Sequence, residues 1–280
     1  MIGRILVGLG GSPFAEGPNH FAINLARRQG AELTGVTVAN LKRLRRVGPV
    51  PIGAGAAANE LRSHRVRQAR EHVDAVIDRF TAECVRHCVQ CRVMREEREG
   101  PFDYLISQAR YHDLTVLGLK GLFEYGVEGE QEFDPAEALI YLVQGGVRPL
   151  LAIGPEDHEV QRVLIAYSGS VGSAKTMKRF VQMRLWPEAR IRILMLGDDV
   201  EPCKRRLQYA AEYCGSHNLD VETQLERGDP RYGVLEAADK WDADLVVVGN
   251  SERSLLARRT LGDTLLETVK HSDLSLFLSQ

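Results

Sequence analysis

An internal repeat constrains the fold of this chain more than any other feature of its sequence. The run RILVGLGGS at 4–12 matches RVLIAYSGS at 162–170, and DLTVLG at 113–118 matches DLVVVG at 244–249. A third pair, RPLLAI at 148–153 and DLSLFL at 273–278, follows in the same order. Because the matched blocks keep one order, they predict two copies of one domain. We place the copies at residues 1–154 and 160–280.

Short apolar runs alternate with longer segments of helical period in both copies. In the second copy, the pattern predicts strands at about 162–167, 189–196, 219–225, 244–249 and 274–278, and helices at about 171–184, 200–217, 230–241 and 262–271. Continuous apolar strands separated by helices indicate parallel strands that are covered on both faces. The fold class is therefore α/β, and each copy is a doubly wound domain with a five-stranded parallel sheet.

The first copy carries its additional residues at about 40–90. Residues 40–55 are rich in Arg, Gly and Pro, which predicts an extended loop. Residues 56 to about 88 follow a helical pattern and predict one long helix. Its outer face carries Arg62, Arg65, Arg67 and Arg70. We interpret these arginines as a solvated surface in preference to an anion-binding site.

Composition and charge exclude several classes of protein. The chain is 44% apolar and 26% charged, and its formal charge is −2, so it lacks the basic excess that nucleic-acid and membrane-surface binding require. No apolar run reaches the length of a membrane span, and the first residues do not have the organisation of a signal peptide. Five cysteines, an odd number, fit a reducing compartment. We therefore expect a cytoplasmic protein with neither a nucleic-acid nor a membrane partner.

The doubled alternation of strands and helices resembles the tandem universal stress proteins over nearly the whole chain. The residues that carry the resemblance are ILVGLGGS and VLIAYSGS at the two strand openings, the Gly228-Asp-Pro turn, and the ADLVVVGN strand at 243–250. The resemblance implies the universal-stress-protein fold, which is similar to that of the adenine-nucleotide alpha hydrolases. It also implies a stress-response function, an adenine nucleotide such as ATP or AMP as ligand, and no metal beyond nucleotide-associated magnesium.

The resemblance also implies where a nucleotide would bind. Family members that bind ATP carry G-x-x-G, nine residues, then G-[S/T] after the fourth strand, and an Asp at the end of the first strand. In the second copy Gly249 and Gly262 keep the motif spacing, so the resemblance implies that Gly249, Ser251, Gly262 and Thr264 would line the phosphates, with Arg253 supplying charge and Ser168 in place of the Asp. Glycines let backbone N–H groups approach phosphate oxygens, and a helix N-terminus adds positive potential.

Both copies depart from the full motif. In the second copy, Glu252 replaces the second glycine and Asp263 replaces the Ser. The first copy keeps Gly118 and Gly121, but its loop is acidic and the later glycine is absent, while Gly10 stands where the Asp would be. Because carboxylates repel phosphates, we favour the second copy as the nucleotide site and treat Gly10, Gly118 and Gly121 as the weaker candidates.

Two further motifs suggest other chemistry. The stretch GSVGSAKT at 169–176 differs from the phosphate-binding motif G-x-x-x-x-G-K-[S/T] at Ala174 alone, which leaves an NTPase as an alternative. Cys84, Cys88 and Cys91 have a spacing that could gather a soft metal, but no second ligand pair lies nearby, and we favour reduced cysteines. The sequence shows no recognisable catalytic triad, so we predict no catalytic residue and no enzymatic activity beyond weak ATP hydrolysis.

The sequence thus leaves two main functional hypotheses. The first is a stress-response protein that binds an adenine nucleotide and acts as a sensor or scaffold. The second is an interaction module in which both nucleotide sites are degenerate. In either case the short apolar strands near 149–153 and 274–278 would each expose a pairing edge. The resemblance implies that such strands pair between domains, so we predict that they pair within this chain, and we expect the whole chain to form a homodimer.

Overall fold

The strands of the protein form one continuous mixed sheet. The computed structural model describes residues 2–45, 53–120, 122–123, 125, 135–147, 149–249 and 274–279. The strands are β1 (Arg4–Gly8), β2 (Glu32–Ala39), β3 (Cys91–Glu97), β4 (Leu114–Gly118), β5 (Leu150–Ile153), β6 (Arg162–Ala166), β7 (Arg190–Leu196), β8 (Val221–Glu226), β9 (Leu245–Gly249) and β10 (Ser275–Ser279). Their order in the sheet is β3-β2-β1-β4-β5-β10-β9-β6-β7-β8. Each copy therefore contributes five adjacent strands in the same internal order.

Helices connect the strands and cover the sheet. They are α1 (Glu16–Gln29), α2 (Leu41–Leu44), α3 (Gly55–Arg86), α4 (Pro101–Ala109), α5 (Pro135–Gln144), α6 (Val171–Met183), α7 (Val200–Ser216) and α8 (Pro230–Lys240), with a 3-10 turn at Pro13–Ala15. No helix in the described part of the chain combines the length and the apolar character that a bilayer span requires. The helix predicted at 262–271 lies outside the described residues.

Burial explains why the central strands are continuous apolar runs. The residues of β5 and β9 are buried throughout, as are most of those in β1 and β6, because helices pack on both faces of the sheet. The outer strands β3 and β8 are only partly covered and alternate apolar with charged residues. The α/β class and the mostly parallel sheet predicted from the sequence are confirmed.

The two copies join through their last strands. β5 and β10 pair antiparallel, with Leu150 opposite Leu278 and Ala152 opposite Leu276, whereas the other paired strands run parallel. This confirms the predicted pairing of the end strands within the chain. One apolar cluster consequently extends from Phe21 in α1 to Phe277 in β10, and the ring of Phe277 meets Phe180 edge-on at 5.4 Å.

The inserted segment of the first copy differs from its prediction at one point. Residues 41–44 form the short helix α2 inside the segment that we predicted as loop from 40 to 55. Asn40 accounts for this turn, because its carbonyl oxygen accepts the Leu44 N–H at 3.1 Å, as expected of a helical i to i+4 bond. The long helix is present as α3, with bounds close to those predicted.

The segment that connects the copies lies directly on α1. A Cβ atom placed on Gly17 would come within 2.3 Å of the Pro155 carbonyl oxygen and 3.0 Å of the Asp157 nitrogen. These neighbours are backbone atoms that cannot move aside independently of the chain. Gly17 is therefore required for the close approach of the connecting segment to α1.

We expect Gly17→Ala to lower the free energy of unfolding by about 1–3 kcal/mol, the usual cost of overpacking. The matched control is Gly215→Ala in α7, where a Cβ atom would meet nothing within 4 Å. This control should stabilise the protein by up to about 1 kcal/mol, because alanine favours the helix. Denaturant titration of both variants makes the comparison, and equal effects at the two positions would contradict the close-approach argument.

Candidate functional site

Each copy has a topological switch point at its first strand. β1 lies between β2 and β4, and β6 lies between β7 and β9, so the chain leaves these strands toward opposite sides of the sheet. In open α/β sheets, ligands bind in the crevice at the carboxyl ends of such strands. The candidate sites are therefore the turn after β1 in the first copy and the turn after β6 in the second.

The turn after β6 is built from three serines and a glycine. The Oγ atoms of Ser168 and Ser170 lie 3.0 Å apart, and the Oγ of Ser173 lies 3.2 Å from both. Ser170 caps α6 by accepting the Ser173 N–H at 3.2 Å. Gly169 adopts a φ of 73°, which favours glycine, and Ser168 and Gly169 are both exposed. The turn thus presents hydroxyl groups and the N-terminus of α6 to solvent.

Gly249 lies beside this turn at the end of β9. A Cβ atom on it would come within 2.7 Å of the Ser173 Cα and 3.0 Å of the Gly172 carbonyl oxygen. The absence of a side chain therefore lets the first turn of α6 pack against β9. The structure brings the predicted residues Ser168 and Gly249 to the same end of the sheet, on either side of the α6 N-terminus.

Arg206 is a residue near the site that the sequence analysis missed. Its side chain extends from α7 over the turn, so that a Cβ atom on Gly169 would lie 2.7 Å from its Cδ and 3.5 Å from its Nη1. Burial raises the pKa of the neighbouring Tyr167 hydroxyl, and the charge of Arg206 opposes that rise. The sequence contains no signal for this contact, because Arg206 is one of several consecutive basic residues on α7.

The stretch 169–176 is not a phosphate-binding loop in this structure. Residues from Val171 onward are already helical, so only Gly169 and Ser170 of this stretch precede α6. Thr176, which would have to reach a metal ion, is buried, and its hydroxyl lies 2.6 Å from the Ser279 carbonyl oxygen, to which it donates. The alternative of an NTPase that uses 169–176 lacks the loop that its mechanism requires.

The equivalent crevice of the first copy is filled by the chain itself. Phe123 and Tyr125 follow β4 and are 2% and 6% exposed. The Tyr125 hydroxyl donates a 2.6 Å hydrogen bond to the Leu9 carbonyl oxygen, at the carboxyl end of β1. Gly10 is buried, in contrast to the exposed Ser168 at the matching position of the second copy. Gly118 lies close to Pro18 of α1.

Several predicted site residues lie outside the described residues: Ser251, Arg253, Gly262, Thr264 and Gly121. Their proposed roles remain predictions. Within the described part of the chain, no group of three or more His, Cys, Asp or Glu side chains is arranged to hold a metal ion.

A separate cavity of about 360 Å³ lies between α1 and the start of β6. Phe21, His158 and Trp186 line it, and Arg28 borders it with ion pairs to Glu159 and Glu188 at 3.2 and 3.0 Å. This cavity is at the amino end of β6, whereas Ser168 follows its carboxyl end. It is therefore distinct from the candidate nucleotide site.

Residues 159–278 match the family model of the universal stress protein family. This part of the chain belongs to that family. A search among curated proteins found no match. The universal stress protein domain thus identified coincides with the strands β6 to β10 and contains the turn after β6.

Solved structures extend the likeness to both copies. A universal stress protein from Archaeoglobus fulgidus matches 99% of this chain and 98% of its own with a TM-score of 0.67 and 14% identity. A protein of unknown function from Pseudomonas aeruginosa matches 99% of this chain and 92% of its own with a TM-score of 0.61 and 13% identity. These matches show that the first copy shares the universal stress protein fold, and that the tandem arrangement recurs in other proteins.

We expect Tyr125→Phe to destabilise the protein by about 1–2 kcal/mol, because it leaves the buried Leu9 carbonyl without its hydrogen bond. The control is Tyr111→Phe, at a side chain that is 66% exposed, which should change stability by less than about 0.5 kcal/mol. Thermal or denaturant unfolding of the two variants makes the comparison. Similar effects for the two substitutions would show that Tyr125 does not close the first crevice.

Proposed function

We propose that this chain is a universal stress protein that binds an adenine nucleotide in its second copy and acts as a sensor or scaffold. One observation carries the proposal. The carboxyl end of the first strand is accessible in the second copy, at Ser168 and Gly169, and buried in the first copy under Phe123 and Tyr125. Among the described residues of the two turns, Ser168 and Gly169 are exposed, whereas their counterparts Gly10 and Gly11 are buried and partly buried.

Electrostatics support the choice of a phosphate-bearing ligand. The α6 N-terminus carries a partial positive charge, and the Arg206 guanidinium adds a full charge over the same turn. The serine hydroxyls replace the family's Asp, so the described part of the turn presents hydrogen-bonding groups without the negative charge of a carboxylate. An anionic ligand is therefore favoured here.

The proposal includes binding without turnover. The described groups at the turn are hydroxyls, backbone amides and a guanidinium, and none of these is a general base at neutral pH in this setting. The remaining parts of the proposal rest on the family resemblance and on composition. They are a cytoplasmic location, a homodimer, a role in stress response and magnesium bound with the nucleotide.

The second candidate is an interaction module that binds no nucleotide in either copy. The filled crevice of the first copy favours it, since one of the two sites has already become part of the apolar core. Calorimetric titration with ATP, ADP and AMP separates the two candidates, because an interaction module would release no binding heat with any of them.

We expect Arg206→Ala to weaken nucleotide binding by about 1–3 kcal/mol, which corresponds to the loss of a charged hydrogen bond to phosphate. Lys204→Ala, on the same helix, removes the same charge from a side chain paired with Glu201 and should change the affinity less than about twofold. An equal loss of nucleotide affinity in both variants would indicate a general effect of the protein's charge and would exclude Arg206 from the site. Steady ATP hydrolysis that disappears in Lys175→Ala would instead revive the NTPase alternative.

A further inference from the structure

The outward faces of α6 and α7 form a basic surface in the second copy. α6 contributes the exposed cations Lys175, Lys178 and Arg179, and α7 contributes Arg205 and Arg206. We call these five residues the basic ridge. α6 contains no acidic residue, so none of its own side chains offsets this positive charge.

Contacts between the two helices hold the ridge together. The Lys178 ammonium lies 5.2 Å from the centre of the Tyr213 ring in α7, and Gln182 Nε2 donates to the Tyr213 hydroxyl at 3.1 Å. Near the start of α6, the Arg206 side chain of α7 extends over Gly169. The cations of both helices are therefore presented side by side on one surface.

The positive charge of the ridge is only partly compensated. Among the described residues, neither Arg179 nor Arg205 has an ion pair. By contrast, the exposed Arg70 of the first copy is paired with Glu97 at 2.8 Å. A local excess of positive charge attracts an anionic partner and favours its encounter with the ridge.

The chain itself contains a segment of the opposite charge. Residues 124–137, EYGVEGEQEFDPAE, include six acidic residues and neither lysine nor arginine. We call them the acidic segment. It follows β4 in the first copy and continues into α5. Residues 126–134 lie outside the described residues, whereas Tyr125 and Pro135 on either side are described.

The acidic segment cannot reach the ridge of its own chain. Four strand steps separate β4 from β6, which amounts to about 19 Å, and the antiparallel pairing of β5 with β10 places the carboxyl ends of β4 and β6 at opposite margins. α5 also packs on the opposite face of the sheet from α6 and α7. A chain fixed at Tyr125 and Pro135 extends about 17 Å from these two residues at most.

We propose that the acidic segment of one molecule docks on the basic ridge of a second copy of the chain, so that two reciprocal contacts hold a homodimer. Each molecule has one segment and one ridge, and a two-fold axis makes the two contacts identical. Complementary charge draws the two surfaces together and fixes their orientation.

A short acidic segment suits the ridge better than a nucleic acid does. The chain carries a formal charge of −2, so the surface outside the ridge repels a long polyanion. This inference rests on the homodimer named in the proposed function and is independent of the nucleotide.

Charge reversal on both surfaces tests the contact in the full chain. The ridge variant carries Lys178→Glu, Arg179→Glu and Arg205→Glu. The segment variant carries Glu128→Lys, Glu130→Lys, Glu132→Lys and Asp134→Lys. Sedimentation velocity gives the oligomeric state of each variant. We expect the wild type to be a dimer at low ionic strength and to dissociate as salt screens the exposed charges.

Each variant alone should be monomeric, because its ridge and its segment then carry charge of the same sign. An equimolar mixture of the two variants should form a dimer again, since each supplies the surface that the other requires. The control reverses three cations of the first copy, Arg62→Glu, Arg67→Glu and Arg110→Glu, and should remain dimeric. The single substitution Arg179→Glu, which breaks no ion pair among the described residues, should weaken dimerisation about two- to fivefold.

Three results would overturn the proposal. A dimer that persists in the ridge variant is held by another surface, which leaves the homodimer of the proposed function intact. A wild type that is monomeric at low ionic strength contradicts that homodimer as well, whereas nucleotide binding is judged separately by calorimetry. A mixture that stays monomeric, although both variants give native-like circular-dichroism melts, shows that the two surfaces do not pair.

Discussion

The antiparallel pairing of β5 with β10 is the interaction on which the rest of the molecule depends. Each strand would be the exposed edge of its own five-stranded sheet, yet both are almost completely buried once they pair. The pairing also reverses the strand direction between the copies, so the carboxyl ends of β1 and β6 lie at opposite margins of the sheet. One core can therefore stabilise both copies while the two crevices remain separate.

That separation explains how the crevices can differ. In the first copy, Phe123 and Tyr125 occupy the carboxyl end of β1, and the buried hydroxyl of Tyr125 satisfies the Leu9 carbonyl. In the second, the same end of β6 remains exposed beneath Arg206. Apolar burial stabilises the fold in one copy, whereas in the other the uncovered turn retains the helix N-terminus and charge that an anion would require. We regard this asymmetry as the structural basis of the proposed function.

The strands, the repeat and the pairing of the end strands could be predicted because each is encoded in local apolar runs that occur twice. The position of Gly249 beside Ser168 could also be predicted from the sequence, because the two residues lie at the carboxyl ends of neighbouring parallel strands. Arg206 and Tyr125 could not be predicted, because their contacts depend on how α7 and the segment after β4 fold back over the sheet. The resemblance of 169–176 to a phosphate loop was misleading because the motif spacing ignores the helical pattern of the same residues, which predicted a helix from about 171 and is confirmed by α6. The limits of the two domains remain predictions.

Hydrogen–deuterium exchange with and without saturating ATP tests the central claim most directly, because it reports on both crevices in one experiment. Our account predicts slower exchange of the backbone amides at 168–173, around the turn after β6, when the nucleotide is bound. The amides at 9–12, at the end of β1, should exchange at the same rate in both samples. Equal protection at the two turns, or protection at 9–12 alone, would contradict the assignment of the nucleotide site to the second copy.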